Sequence, residues 1–130
     1  MRFRLDVPAQ ASTEIIRARL APERWSTWWP GARSGHAGRV DLDLAGPRPL
    51  RVGLQVVPHA DGAEVAMVEG ELSACTVVVT VGAVVSADVE LVFPTAIPAL
   101  LRHDLERWLR SRLALLAAPE PASLEPRSGP

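Results

Sequence analysis

The sequence contains no lysine and no tyrosine, one cysteine, two phenylalanines and no long apolar run. Each shortage narrows what the chain can be. With Cys75 as the sole cysteine there is no internal disulfide framework, and a lone thiol suits a reducing compartment, so a cytoplasmic location is expected. The longest apolar stretch, 77–85, is broken by Thr80 and Gly82. It falls far short of the roughly 20 residues a bilayer-crossing helix needs, so no membrane span is expected. The N-terminal Met1-Arg2-Phe3-Arg4-Leu5-Asp6 lacks the apolar core and cleavage site of a signal peptide. All fourteen basic residues are arginine, they are scattered, and the net charge is -1, which gives no electrostatic footprint for nucleic acid. The missing lysine reads first as a bias of GC-rich coding, and only second as guanidinium chemistry at a phosphate site.

What is present is enough for one core. A chain of 130 residues that is 48% apolar fits a single domain. Phe3, Leu5 and Val7 alternate with Arg2, Arg4 and Asp6, the period-2 pattern of a half-buried strand that Pro8 ends. Ser12 and Thr13 offer cap oxygens for a short helix carrying Ile15, Ile16 and Leu20, and Pro22 suits the first turn of a second one carrying Trp25 and Trp28. Beyond the Pro30-Gly31 turn the signals are almost all β. Val40, Leu42 and Leu44 form one alternating set, Val52, Leu54 and Val56 a second, and Val65 with Met67 a third. Gly46-Pro47 and His59-Ala60-Asp61-Gly62 are turns between them, Gly70 marks a bend or bulge, and a strand is expected over 71–81. After Gly82-Ala83, Val85, Ala87, Val89, Leu91 and Phe93 define the last strand. Ile97, Leu101, Leu105, Trp108, Leu109 and Leu116 then recur at helical spacing. From 119 to 130 the chain is rich in proline and poor in apolar residues, and a disordered tail is expected after a domain over 1–118.

This order of elements resembles the START-like (SRPBCC) superfamily, in particular its bacterial polyketide cyclase/dehydrase and coenzyme Q-binding-like group. Three stretches carry the resemblance. Trp28-Trp29-Pro30-Gly31, with Trp25 ahead of it, is similar to the W-x-x-WWPG ending of the second short helix; Val68-Glu69-Gly70-Glu71-Leu72 is similar to a mid-sheet EG-x-L bend; and Phe93-Pro94 through Leu116 is similar to the terminal helix. Where many relatives place Gly-x-Trp and Gly-Gly-Thr, this chain has Ala74-Cys75-Thr76 and Val81-Gly82-Ala83. The resemblance implies an α+β helix-grip fold (START-like/Bet v 1-like). A curved antiparallel sheet of about seven strands, with two short helices after the first, closes over one long C-terminal helix.

A curved sheet cannot follow a straight helix along its whole length, so residue size decides whether the gap is core or cavity. The inward candidates are small or medium: Val52, Leu54 and Val56, Met67, Cys75 and Val77, Val89 and Leu91, facing Leu101, Leu105 and Trp108. They line either an apolar pocket or a packed core. Trp28 and Trp29 are read either as a lid over that pocket or as anchors of the short helices. Glu69 shares its strand face with Val65 and Met67, which brings a carboxylate to the pocket unless Gly70 introduces a bulge that turns it out. Cys75 is read as a buried apolar filler rather than a nucleophile, with no histidine beside it. His36, His59 and His103 are dispersed, no pair has ligand spacing, and neither metal nor cofactor is expected.

Three functions follow from this reading. The first is binding of a small hydrophobic molecule, such as a lipid, quinone or polyketide-like compound, between sheet and helix. The second is a cyclase or dehydratase in which Glu69 or His103 moves protons. The third is a protein-interaction module with a filled core. Either a monomer or a homodimer suits a sheet with two edges.

Overall fold

The computed structural model describes residues 1–44 and 49–120. The expected Gly46-Pro47 turn and all but the first two residues of the expected tail lie outside the described residues. Seven strands form one antiparallel sheet: β1 (Arg2–Pro8), β2 (Arg33–Ser34), β3 (Arg39–Leu44), β4 (Leu50–His59), β5 (Gly62–Gly70), β6 (Ala74–Val81) and β7 (Val84–Val92). Their spatial order is β1-β7-β6-β5-β4-β3-β2, so every neighbouring pair except β1–β7 is also consecutive in sequence. Helix α1 (Thr13–Arg19) and a 3-10 helix (Pro22–Thr27) interrupt the path from β1 to β2, and α2 (Ala99–Leu116) follows β7.

The alternation in the sequence sets the two faces of this sheet. Leu5 and Val7, Val40, Leu42 and Leu44, Val52, Leu54 and Val56, and Val85, Ala87, Val89 and Leu91 are all buried, while the residues between them on β1 and β3 are partly or fully solvated. The apolar face is covered by α2, which buries Leu105, Leu113 and Leu116. The solvent face carries an ionic lattice that includes Arg2–Glu90 at 3.0 Å, Arg4–Asp6 at 3.2 Å and Arg39–Asp41 at 2.9 Å. Among the described residues no helix is long and apolar enough to cross a membrane.

The short helices are fixed by local chemistry. Ser12 caps α1, its Oγ accepting from the Ile15 amide at 3.2 Å, and Pro22 opens the 3-10 helix as expected. Trp25 Nε1 donates to the Leu20 carbonyl at 2.9 Å and Trp28 Nε1 to the Arg19 carbonyl at 2.8 Å, so two indoles satisfy the open end of α1. These bonds make Trp25 and Trp28 anchors. At the far end of α2, Arg19 Nη1 donates to the carbonyls of Leu116 at 2.8 Å and Ala118 at 2.6 Å.

Several boundaries differ from the sequence reading: β7 stops at Val92, leaving Phe93 beyond it, and α2 starts at Ala99, leaving Ile97 before it. β6 begins at Ala74 rather than Glu71, because 71–73 is a bend held by Glu71 N to Arg51 O at 3.1 Å and Ser73 N to Val92 O at 2.7 Å. The strand β2 is also additional; two polar residues carry no alternation, and only their pairing with Val40 and Asp41 defines it.

Candidate functional site

The concave face of the sheet and the stripe of α2 above it form the candidate site. β4 supplies Val52, Leu54 and Val56, β5 supplies Val65 and Met67, β6 supplies Cys75 and Val77, and β7 supplies Val89 and Leu91. The pairing holds them level: Leu54 stands opposite Met67, Val65 opposite Val77, and Val77 opposite Val89. Most are buried, yet Met67 and Val77, in the middle strands, are only half-buried. On α2, Leu105 is buried whereas Leu101, Trp108 and Leu109 are half-buried. β5 and β6 are paired from Gly62–Thr80 to Ala66–Thr76 and then part, so Met67 and Cys75 have no ladder between them. Met67 therefore lies where the sheet opens.

Glu69 does not join this group. Leu54 pairs with Met67, but Gly53 pairs with Glu69, so Val68 is an extra residue and the register slips by one. A slip of one exchanges the faces. Glu69 consequently points to solvent, with its side chain 74% exposed, and its Oε1 is 2.8 Å from Arg39 Nη2. Gly70, at φ +153, closes the bulge where a Cβ would lie 2.8 Å from the Arg51 carbonyl oxygen and 2.9 Å from Val52 Cα, so only glycine fits there. His103 is also solvated, on the outer side of α2. Cys75 is buried, and burial pushes its thiol up to about 11, leaving it neutral and unreactive near pH 7.

At one side of the concave site four tryptophans pack together. The ring centroids of Trp25 and Trp28 are 4.7 Å apart, Trp28 and Trp29 5.8 Å, and Trp29 meets Trp108 edge-on at 5.4 Å. The Arg112 guanidinium carbon lies 4.7 Å from the Trp108 centroid and 5.9 Å from that of Trp29. A stripe of α2 drawn from apolar residues alone omits Arg112. The spacing 105, 109, 112, 116 is the signal that finds it, because an arginine there occupies a sheet-facing position.

A hollow of about 620 Å³ lies on the solvent face between Arg39, Asp41, Asp43, Arg51, Glu69 and Glu71. Within it Arg39 binds Asp41 and Glu69, and Glu71 Oε2 accepts from the backbone amide of Arg51 at 2.9 Å. Among the described residues no group of three His, Cys, Asp or Glu side chains converges to hold a metal ion.

No protein-family model matches this sequence, and no curated protein does. Solved structures do match. A START superfamily protein from Mycobacterium smegmatis aligns with a TM-score of 0.69 at 15% identity, over 88% of this chain and 92% of that one. A protein from Thermus thermophilus aligns with a TM-score of 0.60 at 15% identity, over 89% and 91%. Ara h 8.0201 aligns with a TM-score of 0.63 at 10% identity, over 90% and 95%. A protein of the dynemicin biosynthetic locus also aligns, with a TM-score of 0.53 at 14% identity, over 89% of this chain and 45% of that one. The chain has the START-like helix-grip fold that its element order suggested.

Proposed function

We propose that this protein binds a small hydrophobic molecule, such as a lipid, quinone or polyketide-like compound, between the concave face of its sheet and α2. The observation that carries this reading is the partial burial of Met67 and Val77. Both point inward from central strands, where a filled core would close over them. Leu101 and Leu109 keep accessible surface on the helix stripe above, and β5 and β6 part beside Met67. The solvated positions of Glu69 and His103 favour binding over proton transfer, since neither side chain lines the concave face.

The test is native mass spectrometry of the protein purified gently from its host, with identification of any compound that travels with it. A stoichiometric apolar ligand is the expected result. A bare mass, with no thermal shift across lipid, quinone and polyketide panels, would sink the binding reading and leave a filled-core interaction module.

A further inference from the structure

The cation on the sheet-facing stripe of α2 has no counter-ion among the described residues. Arg112 is half-buried, its Nε is shielded from solvent and makes no hydrogen bond, and no described carboxylate pairs with it. Its neighbours are two indole rings, at 4.7 Å and 5.9 Å, whose faces attract a cation but accept no hydrogen bond from its fork. Arginine cannot shed its proton to relieve the cost of an unpaired, partly desolvated charge. Apolar substitution would remove that cost, and leucine occupies the stripe positions one turn to either side, Leu109 and Leu116. The rings also hold the guanidinium in place, so little freedom is lost when an anion arrives.

We infer that Arg112 is the anchor for the carboxylate of an amphipathic ligand, an apolar monocarboxylic acid whose body lies along the concave face toward Met67 and Val77. This rests on the binding function proposed above and adds the chemical class of the ligand. A planar carboxylate matches the guanidinium fork in two parallel hydrogen bonds. A single arginine supplies one charge, which suits a monoanion better than a phosphate dianion. Trp29 and Trp108, which lie to the same side of the guanidinium carbon, would then shield that flank of the pair from water, where a charge-assisted bond is stronger.

The experiment compares matched acids and alcohols by tryptophan fluorescence and calorimetry, with the full chain at pH 7.5. Decanoate is set against decanol, and 2-naphthylacetate against 2-naphthylethanol, all below their aggregation limits. The acid of at least one pair is expected to bind about tenfold or more tighter than its alcohol, the strength of one charge-assisted contact. Arg112→Met should abolish that preference while keeping the affinity for the alcohol, and Arg112→Lys should retain part of it. Circular dichroism melts show whether each variant folds; if Arg112→Met does not, the lysine variant and the acid–alcohol ratio of the native protein still decide. Alcohols that bind as well as acids, with the Arg112 variants unchanged, would overturn the carboxylate anchor and leave the apolar site standing. If neither acids nor alcohols bind, the cavity itself is refuted and the anchor with it.

Discussion

Arg39 on β3 reaches Glu69 on β5 at 2.8 Å by lying across the intervening strand at Gly53, where a Cβ would come within 2.2 Å of its Nη2. The missing side chain of β4 is thus what joins two non-adjacent strands on the solvent face. Because Glu69 is occupied there and far more exposed than its partner, Glu69→Gln is expected to leave apolar ligand binding unchanged. Its stability cost should stay below about 1 kcal/mol, as for other exposed ion pairs. Calorimetric titration and urea unfolding of the variant check both; a loss of ligand affinity would return Glu69 to the site.

The fate of Glu69 shows what the sequence could and could not convey. Strand faces, the short-helix caps and the stripe of α2 were legible because each is a local period or a local cap. The direction of Glu69 was not. It depends on whether Val68 is paired or extra, and that is settled by the neighbouring strand β4, through Gly53 and Val52. Gly70 announced an irregularity without saying which neighbour would turn. β2 was invisible for the same reason, since Arg33 and Ser34 become a strand only by pairing with β3. Arg112 escapes for a different one: a stripe defined by hydrophobicity omits the charged residue that shares its phase.

Gly62 is needed for close approach rather than for its backbone angle. A Cβ there would stand 1.8 Å from the carbonyl oxygen of Val79 and 2.7 Å from its carbonyl carbon, both backbone atoms of the neighbouring strand. Gly62→Ala is therefore expected to destabilise by about 1–3 kcal/mol, because β5 and β6 must separate. Gly82→Ala, whose nearest neighbour would be the Val84 oxygen at 3.8 Å, is the control and should stay within about 0.5 kcal/mol. Urea midpoints of the two variants make the comparison.

Cys75 gives the fold an alkaline limit. Unfolded, its thiol titrates near 9.0, whereas burial in the native protein raises it to about 11. The native state then holds a proton that the unfolded state has lost, so stability declines as pH rises from 9 toward 11. The full effect is on the order of 2–3 kcal/mol, from ~1.4 kcal/mol per pKa unit. Denaturation at about pH 8, 9.5 and 11 should show this slope, and Cys75→Ala should flatten it. A slope that persists in Cys75→Ala would assign it to other groups. Native protein near pH 8 should also react with Ellman's reagent only as fast as it unfolds.

Asp6 acts at the acid end. Hydrogen bonds from Ser86, at 2.6 Å, and from Arg4, at 3.2 Å, hold its carboxyl below the usual range. A depressed acid stabilises the fold above its unfolded value, near 3.8, and that contribution fades as pH falls through the lower native value. Asp6→Asn should lower the urea midpoint at about pH 7 and shrink the difference between that pH and about pH 3. Equal pH dependence in both proteins would remove Asp6 from the acid transition.

The two ends of α2 are held unequally, and this bears on how a ligand enters. At the C-terminal end Arg19 donates to the carbonyls of Leu116 and Ala118, and the Gln10 amide donates to the Ala117 carbonyl at 2.8 Å. At the N-terminal end Pro98 supplies no side-chain cap, Leu100 is 71% exposed, and Leu101 is only half-buried. Opening between helix and sheet should thus begin at 99–103. Hydrogen exchange is expected to be fastest for the amides of that first turn and slowest near Leu113 and Leu116. Arg19→Met removes a charged donor to two helix-end carbonyls and should cost about 1–2 kcal/mol. It should also speed exchange at the C-terminal end while leaving the first turn as it was. If exchange were instead uniform along α2 in the native protein, the helix would move as one body, and admission through its N-terminal end would be ruled out.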